Sequence, residues 1–122
     1  MNLNQVTISV KNVEQSILFY QKMGLTLIVK SLPDYARFEC TNGDATFSLH
    51  RNEGLNNGTW IYFEVDNVDV KVKQLQENHF SIDEVPEDKP WLWREARLKD
   101  LDNNIIIIYN AGNNRKNPPW RI

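Results

Sequence analysis

Hydrophobic and polar residues alternate in two stretches of the chain that resemble one another. Apolar side chains occupy positions 6, 8 and 10 in the segment 5–10, and positions 61, 63 and 65 in the segment 60–65. Alternation with a period of two predicts a strand with one buried face. Each strand leads into a helical pattern, so a strand-helix unit is repeated after 55 residues.

Two helices are predicted, and each follows an asparagine that is suited to cap its first turn. The side-chain oxygens of Asn12 and Asn67 are acceptors for the free N–H groups at a helix N-terminus. The apolar periodicity predicts helices at about 13–23 and about 68–80. Gly24 follows the first helix and is suited to the left-handed conformation in which many helices end.

Alternating or β-branched segments predict the remaining strands. These segments are 26–30, 35–40, 45–50, a short one at 82–85, 91–99 and 105–109. Asn42-Gly43 predicts a two-residue hairpin turn in which both residues have a positive φ. The sequence also predicts a linker at 51–58, a charged loop at 86–90 and a tight turn at 100–104.

Each half of the chain therefore has the order β-α-β-β-β. Module one covers about 5–50, module two covers about 60–112, and a C-terminal tail covers 113–122. We predict a single α+β domain spanning 1–122, in which the paired modules form a curved mixed sheet around a cup-shaped cavity. Trp120 is expected to pack the tail against the domain rather than to contact a ligand.

The sheet face that turns away from the helices combines polar and aromatic residues. It contains Gln5, Thr7, Ser9, Arg37, Ser48, His50, Trp60, Tyr62, Glu64, Trp93, Glu95, Ile107 and Tyr109. Aromatic walls with a few polar groups are typical of small-molecule sites. The residues that we predict to contact a ligand are Gln5, Arg37, Ser48, His50, Trp60, Tyr62, Trp93, Glu95, Ile107 and Tyr109. The alternative is that this face is the solvated outside of an antiparallel sheet.

Composition and charge narrow the range of functions. The 122 residues carry a formal net charge of −2 and no basic stripe, so we expect no nucleic-acid partner. Apolar runs are too short to span a bilayer and no secretory signal is visible, so we expect no membrane partner and a cytoplasmic location. The single cysteine, Cys40, cannot form an internal disulfide and is interpreted as a reduced core thiol.

Several segments resemble the vicinal oxygen chelate superfamily, which includes glyoxalase I, extradiol dioxygenases and bleomycin-resistance proteins. The matching segments are 5–10 with Ser16, Phe19-Tyr20 and Gly24-Leu25, the junction at 64–69, and the turn at 100–104 before an isoleucine run. The resemblance extends from Gln5 to about Gly112. It implies paired β-α-β-β-β modules and a homodimer. It specifies the fold better than the function, because the superfamily spans several chemistries.

The resemblance also implies where a metal would bind. Metalloenzymes of the superfamily hold one divalent ion at up to four positions, which here are Gln5, Ser48, Trp60 and Ile107. Tryptophan and isoleucine coordinate no divalent ion, and one glutamine does not offset the hydration that the ion loses. We therefore expect neither a metal nor another cofactor. A rival metal site would have to use His50, Glu64 or Glu95.

Two functions remain open from the sequence, beside the possibility that the only partner of the domain is a second copy of itself. The first is a metal-independent binding protein that sequesters an aromatic or cationic small molecule between its tryptophan rings. The second is a lyase, isomerase or dioxygenase with an atypical metal site or a carboxylate base. Its candidate catalytic residues are Glu95, Glu64 and His50. A carboxyl group between tryptophans would have a raised pKa and would suit a general base near neutral pH.

Overall fold

The computed structural model describes residues 1–51, 59–99, 101 and 104–122. The elements are, in chain order, β1 (Asn2–Val10), α1 (Val13–Met23), β2 (Thr26–Ser31), β3 (Tyr35–Glu39), β4 (Thr46–Arg51), β5 (Thr59–Glu64), α2 (Val68–Glu77), β6 (Glu84–Asp88), β7 (Arg94–Lys99), β8 (Ile105–Asn110) and a 3₁₀ helix (Gly112–Asn114). The order β-α-β-β-β occurs twice, so the predicted α+β architecture is confirmed. Neither described helix is long and apolar enough to cross a membrane.

One mixed sheet contains all eight strands, in the order β2-β3-β4-β1-β5-β8-β7-β6. The two modules join where β1 and β5 run antiparallel at the centre of the sheet. Val6 pairs with Ile61, and these residues are also equivalent positions of the sequence repeat. A pseudo-twofold axis therefore passes between them. The sheet curves without closing, so both modules of one chain face the same cavity.

Both helices begin at the predicted asparagine caps. Asn12 Oδ1 accepts a hydrogen bond of 2.9 Å from the N–H three residues further on, and Asn67 Oδ1 accepts the equivalent bond at 3.0 Å. Gly24 has a φ of +112° and ends α1 in the left-handed conformation. α2 ends at Glu77, earlier than the predicted 68–80, and His79 follows it with a φ of +67°.

Each helix packs on its own module over a separate apolar core. The buried residues of these cores are Val13, Ile17, Ala36, Phe38 and Leu49 beside α1, and Val68, Val72, Ala96, Leu98 and Ile108 beside α2. Removal of these side chains from water holds the helices against the sheet. The strand residues among them are those that the alternation assigned to the helix side, so the predicted faces of the strands are correct.

The connection between β3 and β4 differs from the prediction. The N–H of Cys40 donates to Ala45 O at 3.2 Å and closes a loop that is longer than a two-residue hairpin. Of the two predicted turn residues, only Gly43 has a positive φ, at +83°. The Asn42-Gly43 pair therefore lies in a wider loop, in which Gly43 adopts the left-handed conformation. Cys40 is half-buried rather than in the core.

Two boundaries in module two also differ from the prediction. Pro86 lies inside β6 rather than in a loop, because an edge strand has one neighbour and tolerates a residue without an N–H group. β7 begins at Arg94 rather than at position 91, because Leu92 has a φ of +69° in the preceding turn. Most of the predicted linker at 51–58 and of the predicted turn at 100–104 lies outside the described residues.

Residues 112–122, which we call the C-terminal strap, run from the end of β8 across module one to β2. Arg115 anchors the strap through Asp44, whose Oδ2 lies 2.6 Å from Arg115 Nη2 and whose carbonyl oxygen lies 2.7 Å from Nη1. Arg121 Nη2 lies 3.0 Å from Glu39 Oε1. The N–H of the last residue donates to a β2 carbonyl at 3.0 Å. The predicted C-terminal tail is therefore tied to the sheet.

Candidate functional site

A cavity of about 620 Å³ lies on the concave face of the sheet, between the two modules. Its aromatic lining residues in the described part of the chain are Tyr35, Trp60, Tyr62, Trp91, Trp93 and Trp120. Its basic lining residues are Lys30, Arg37, His50 and Arg97. A second hollow of about 280 Å³ lies at the start of α1, and no aromatic side chain lines it. The larger cavity is therefore the candidate site.

Trp60 is a half-buried ring of the cavity wall. It lies on β5, where the register pairs it with Thr7 of β1. The ring of His50 packs against it at 5.0 Å between ring centres, with 34° between the ring planes. The guanidinium carbon of Arg97 lies 4.7 Å from the centre of the Trp60 ring, within the range of a cation–π contact. Side chains from β4, β5 and β7 thus meet at one part of the wall.

The structure divides the ten predicted contact residues into two groups of five. Those that line the cavity are Arg37, His50, Trp60, Tyr62 and Trp93. Those that do not line it are Gln5, Ser48, Glu95, Ile107 and Tyr109, each exposed by 2% or less. The second group is buried and is packed behind the lining rather than being part of it.

Three aromatic rings of module two pack against one another, and we call them the cavity floor. Tyr62 and Trp93 line the cavity, whereas Tyr109 does not. The ring centres of Tyr62 and Trp93 are 5.9 Å apart, and Tyr109 lies 5.3 Å from Tyr62 and 4.9 Å from Trp93. Burial raises the pKa of both tyrosine phenols well above the usual value, so both are neutral at physiological pH. The hydroxyl of Tyr109 donates to Asn4 Oδ1. Packing of the floor is what buries Ile107.

The positions that correspond to the superfamily's metal ligands do not suit a divalent ion. They are Gln5, Ser48, Trp60 and Ile107. Gln5 Oε1 accepts a hydrogen bond of 2.7 Å from Thr46, and Ser48 Oγ lies 2.7 Å from the hydroxyl of Tyr35. Within the described residues, no group of three His, Cys, Asp or Glu side chains is arranged to hold a metal. The donor chemistry therefore does not fit the ion that the resemblance implies.

Glu64, a candidate catalytic residue, is occupied by structural hydrogen bonds. Its Oε2 accepts from the N–H groups of Ala111 at 2.7 Å and Gly112 at 3.0 Å. Its Oε1 accepts from Asn4 Nδ2 at 2.9 Å. Glu64 does not line the cavity. Its carboxylate holds the beginning of the C-terminal strap against the sheet.

Glu95, the second carboxylate candidate, has the electrostatic character of a base but lies beneath the cavity wall. Burial raises the pKa of its carboxyl group, against the hydrogen bond from Trp91 and the charges of Arg97 and Lys89. Its Oε2 accepts from Trp91 Nε1, and its Oε1 has no partner among the described residues. Of the three catalytic candidates, only His50 lines the cavity.

Arg37 is the most deeply buried charge in the cavity wall, with 3% of its surface exposed. Its Nε donates to the hydroxyl of Tyr35 at 3.0 Å, and its Nη1 donates to the carbonyl oxygen of Arg115 at 3.0 Å. The guanidinium carbon lies 4.5 Å from the centre of the Trp93 ring. These partners are all neutral, and no carboxylate of the described chain forms an ion pair with Arg37.

The sequence model described as the Glyoxalase/Bleomycin resistance protein/Dioxygenase superfamily matches residues 2–108. The chain belongs to this superfamily. The uncharacterized protein YraH of Bacillus subtilis is 27% identical over 127 residues, which cover 89% of this chain and 98% of that protein. The resemblance seen in the sequence is therefore confirmed, and the function stays open.

Two solved structures show the same fold. A superfamily member from Vibrio splendidus 12B01 has a TM-score of 0.71 at 12% identity, covering 89% of this chain and 99% of that chain. A structure described as an NAD-dependent benzaldehyde dehydrogenase from Legionella pneumophila has a TM-score of 0.70 at 25% identity, covering 88% and 97%. These similarities support the superfamily fold of the chain.

Five aromatic or basic residues of the wall in this superfamily member were not predicted as ligand contacts. They are Lys30, Tyr35, Trp91, Arg97 and Trp120. Tyr35 and Arg97 share their faces with Arg37 and Glu95, so the alternation contained the signal that would have found them. Trp91 lies in a turn and Trp120 in the C-terminal strap, where no strand periodicity applies. The prediction that Trp120 only anchors the tail is incomplete, since it is 42% exposed on the cavity wall.

Proposed function

We propose that this superfamily member is a metal-independent binding protein that holds an aromatic small molecule in the cavity between its modules. The observation that carries the proposal is the lining of six aromatic side chains around about 620 Å³. Flat rings stack on such walls without the help of a metal ion. The side chains at Gln5, Ser48, Trp60 and Ile107 support metal independence, because they offer no charged ligand to a divalent ion.

The aromatic ligand predicted from the sequence is retained here, whereas the cationic ligand is not. The described lining contains Lys30, Arg37 and Arg97 and no acidic side chain. A cationic ligand would therefore meet like charges at short range, which costs binding free energy. The aromatic walls are compatible with a neutral or negatively charged ring.

Tryptophan variants test the binding site directly. Trp91 and Trp120 are 38% and 42% exposed, so truncation of either to alanine should leave the domain folded. Loss of one stacking ring should lower the affinity for 2-naphthamide by about two- to tenfold in isothermal titration calorimetry. Phe80→Ala is the matched control, because Phe80 is 52% exposed but does not line the cavity. Equal affinities for the parent, Trp91→Ala and Trp120→Ala would contradict the proposal.

A separate measurement tests whether ligand binding is independent of a metal ion. Metal analysis of the purified protein should give no stoichiometric divalent ion, and dialysis against EDTA should leave the affinity for 2-naphthamide unchanged. A bound ion whose removal abolishes binding would show that this part of the proposal is wrong.

A second candidate function is an isomerase or lyase that uses Glu95 as a general base. The raised pKa of the buried Glu95 carboxyl group favours it. Its position beneath the wall disfavours it, because a base must come within hydrogen-bond reach of the proton that it removes. Proton NMR in D₂O distinguishes the two functions. Exchange of carbon-bound protons in a bound ligand by the parent, but not by Glu95→Gln, would favour the enzyme.

We also propose that the chain forms a homodimer in the cytoplasm. The superfamily resemblance implies a homodimer, and the outer side of α1 exposes Leu18, Phe19 and Met23 by 65%, 61% and 66%. Apolar side chains grouped on one surface are typical of a protein–protein contact. The proposed location rests on the sequence features given above.

A further inference from the structure

We infer that the ligand is an aromatic anion, a flat ring that carries one carboxylate, and that Arg37 and Arg97 bind this carboxylate. The inference rests on the proposed binding function and extends it to a class of ligand. Three features of the cavity lead to it, which are the sign of its charge, the unused donors of Arg37 and those of Arg97.

The described cavity wall carries basic groups without acidic ones. Lys30, Arg37 and Arg97 line it together with His50, although the whole chain has a formal net charge of −2. Charge of one sign collected in a cleft with apolar walls attracts ligands of the opposite sign and repels those of the same sign. The local charge of the site is therefore opposite to that of the protein as a whole.

Arg37 provides a buried positive charge that the fold leaves without a negative partner. Burial of an isolated charge is costly, and most buried charges are paired or hydrogen-bonded. Neutral acceptors occupy Nε and Nη1 of Arg37, whereas no hydrogen bond from Nη2 to a described residue is present. An arginine fork with free donors suits a carboxylate in both charge and shape. A ligand carboxylate would supply the missing counter-charge.

Arg97 is the second guanidinium group on the same wall. Its Nε is buried and has no hydrogen-bond partner among the described residues. Arg97 forms an ion pair with Glu84, with 3.5 Å between Nε and Oε2, and the Glu84 side chain is 49% exposed to solvent. The stacking of Arg97 on Trp60 places this charge beside an aromatic surface. A ring on that surface would therefore have a cation next to it.

The buried carboxyl group of Glu95 does not cancel this charge. Glu95 lies beneath the wall, and the indole N–H of Trp91 donates to it. Burial raises the pKa of this carboxyl group. The lining itself holds basic side chains and, among the described residues, no acidic one. Because aromatic side chains form much of the lining, a ring with a single carboxylate matches it better than an inorganic anion does.

Three naphthalene probes that carry substituents of different charge at the same position test the inference on the unmodified protein. They are 2-naphthoate, 2-naphthamide and 2-naphthylmethylamine, which are anionic, neutral and cationic at pH 7. Hydrogen bonds to a charged group predict that 2-naphthoate binds at least about tenfold more tightly than 2-naphthamide in isothermal titration calorimetry. The amine should bind most weakly. Raising the salt concentration should weaken the binding of 2-naphthoate more than that of 2-naphthamide.

Arginine variants test whether the preference for an anion comes from the guanidinium groups of the cavity wall. Arg97→Gln should lower the affinity for 2-naphthoate by about three- to tenfold. It should change the affinity for 2-naphthamide by less than about twofold. Lys73→Gln makes the same change in net charge on the exposed side of α2 and should affect neither probe. Arg37→Lys keeps the charge but removes the paired guanidinium donors. It should lower the affinity for 2-naphthoate more than that for 2-naphthamide. Thermal melts of each variant verify the folded state.

The outcomes separate this inference from the proposed function. Binding of the amide or the amine as tightly as the naphthoate would overturn the anion assignment and leave the aromatic site in place. An equal loss of naphthoate affinity in Arg97→Gln and Lys73→Gln would also overturn it, because the effect would then be one of net charge. Absence of binding by all three probes would overturn both proposals.

Discussion

Replacement of Trp93 by alanine should destabilise the domain strongly, because this side chain is the centre of the cavity floor. Trp93 is 2% exposed and packs against both Tyr62 and Tyr109. Its Nε1 donates to the carbonyl oxygen of Asn114 in the C-terminal strap at 3.0 Å. The substitution would therefore leave a cavity between the sheet and the strap, and would remove the ring over which Arg37 lies.

The magnitude follows from the buried area. A buried tryptophan removes about 150–250 Å² from water, and about 25 cal/mol per Å² gives about 4–6 kcal/mol for transfer alone. Core substitutions of tryptophan by alanine cost about 3–5 kcal/mol. We expect Trp93→Ala to lower the free energy of unfolding by about 3–5 kcal/mol. Trp93→Phe keeps an aromatic ring and loses the N–H donor, so it should cost about 1–3 kcal/mol.

Urea denaturation followed by far-ultraviolet circular dichroism is the suitable assay, because the substitution removes a fluorophore. Phe80→Ala serves as the control, since Phe80 is 52% exposed and should cost less than about 1 kcal/mol. A Trp93→Ala variant that is no less stable than Phe80→Ala would refute the view that the floor is a packed core. The predicted contact of Ile107 and Tyr109 with a ligand would then become the better explanation of this face.

Three further predictions concern charge and assembly. Burial raises the pKa of Glu95, so its ionised form costs stability progressively as the pH rises above the unfolded value of about 4.3. Glu95→Gln should therefore melt at a higher temperature than the parent at pH 7, with a difference that shrinks towards pH 4 in scanning calorimetry. The charge of Arg115 lowers the pKa of Asp44, so its contribution is present at pH 7 and is lost as the pH falls below about 3.9. Asp44→Asn should lower the free energy of unfolding by about 1 kcal/mol or less at pH 7, because Asp44 is largely exposed. Near pH 2 the substitution should leave the free energy of unfolding unchanged. Phe19→Glu should convert the proposed homodimer to a monomer in size-exclusion chromatography with light scattering, and a parent that is already monomeric would contradict the assembly.

The sequence alone determined the order of the strands and helices and the faces of the strands. Alternation decided which strand residues face the helices, because a residue and its second neighbour lie on the same side of a strand. Asn12, Asn67 and Gly24 determined where the helices begin and where the first one ends, because capping depends on groups within a few residues. The repeat of the strand-helix unit then indicated the paired modules. Each of these signals is local in the chain.

Only the tertiary structure decided which residues of the concave face form the surface of the cavity. Ile107 and Tyr109 share that face with Trp60, yet both are fully buried in one cluster with Tyr62 and Trp93. Such packing depends on the volumes of side chains that are distant in sequence, and a periodic pattern does not contain those volumes.

The position of the C-terminal strap is the second feature that required the folded chain. Its carbonyl groups accept hydrogen bonds from Arg37 and from Trp93, which lie 78 and 21 positions away in the sequence. These long-range contacts leave Arg37 hydrogen-bonded but without a negative partner. The charge preference inferred for the cavity thus arises from contacts between distant segments, whereas its aromatic character was visible in the order of the residues.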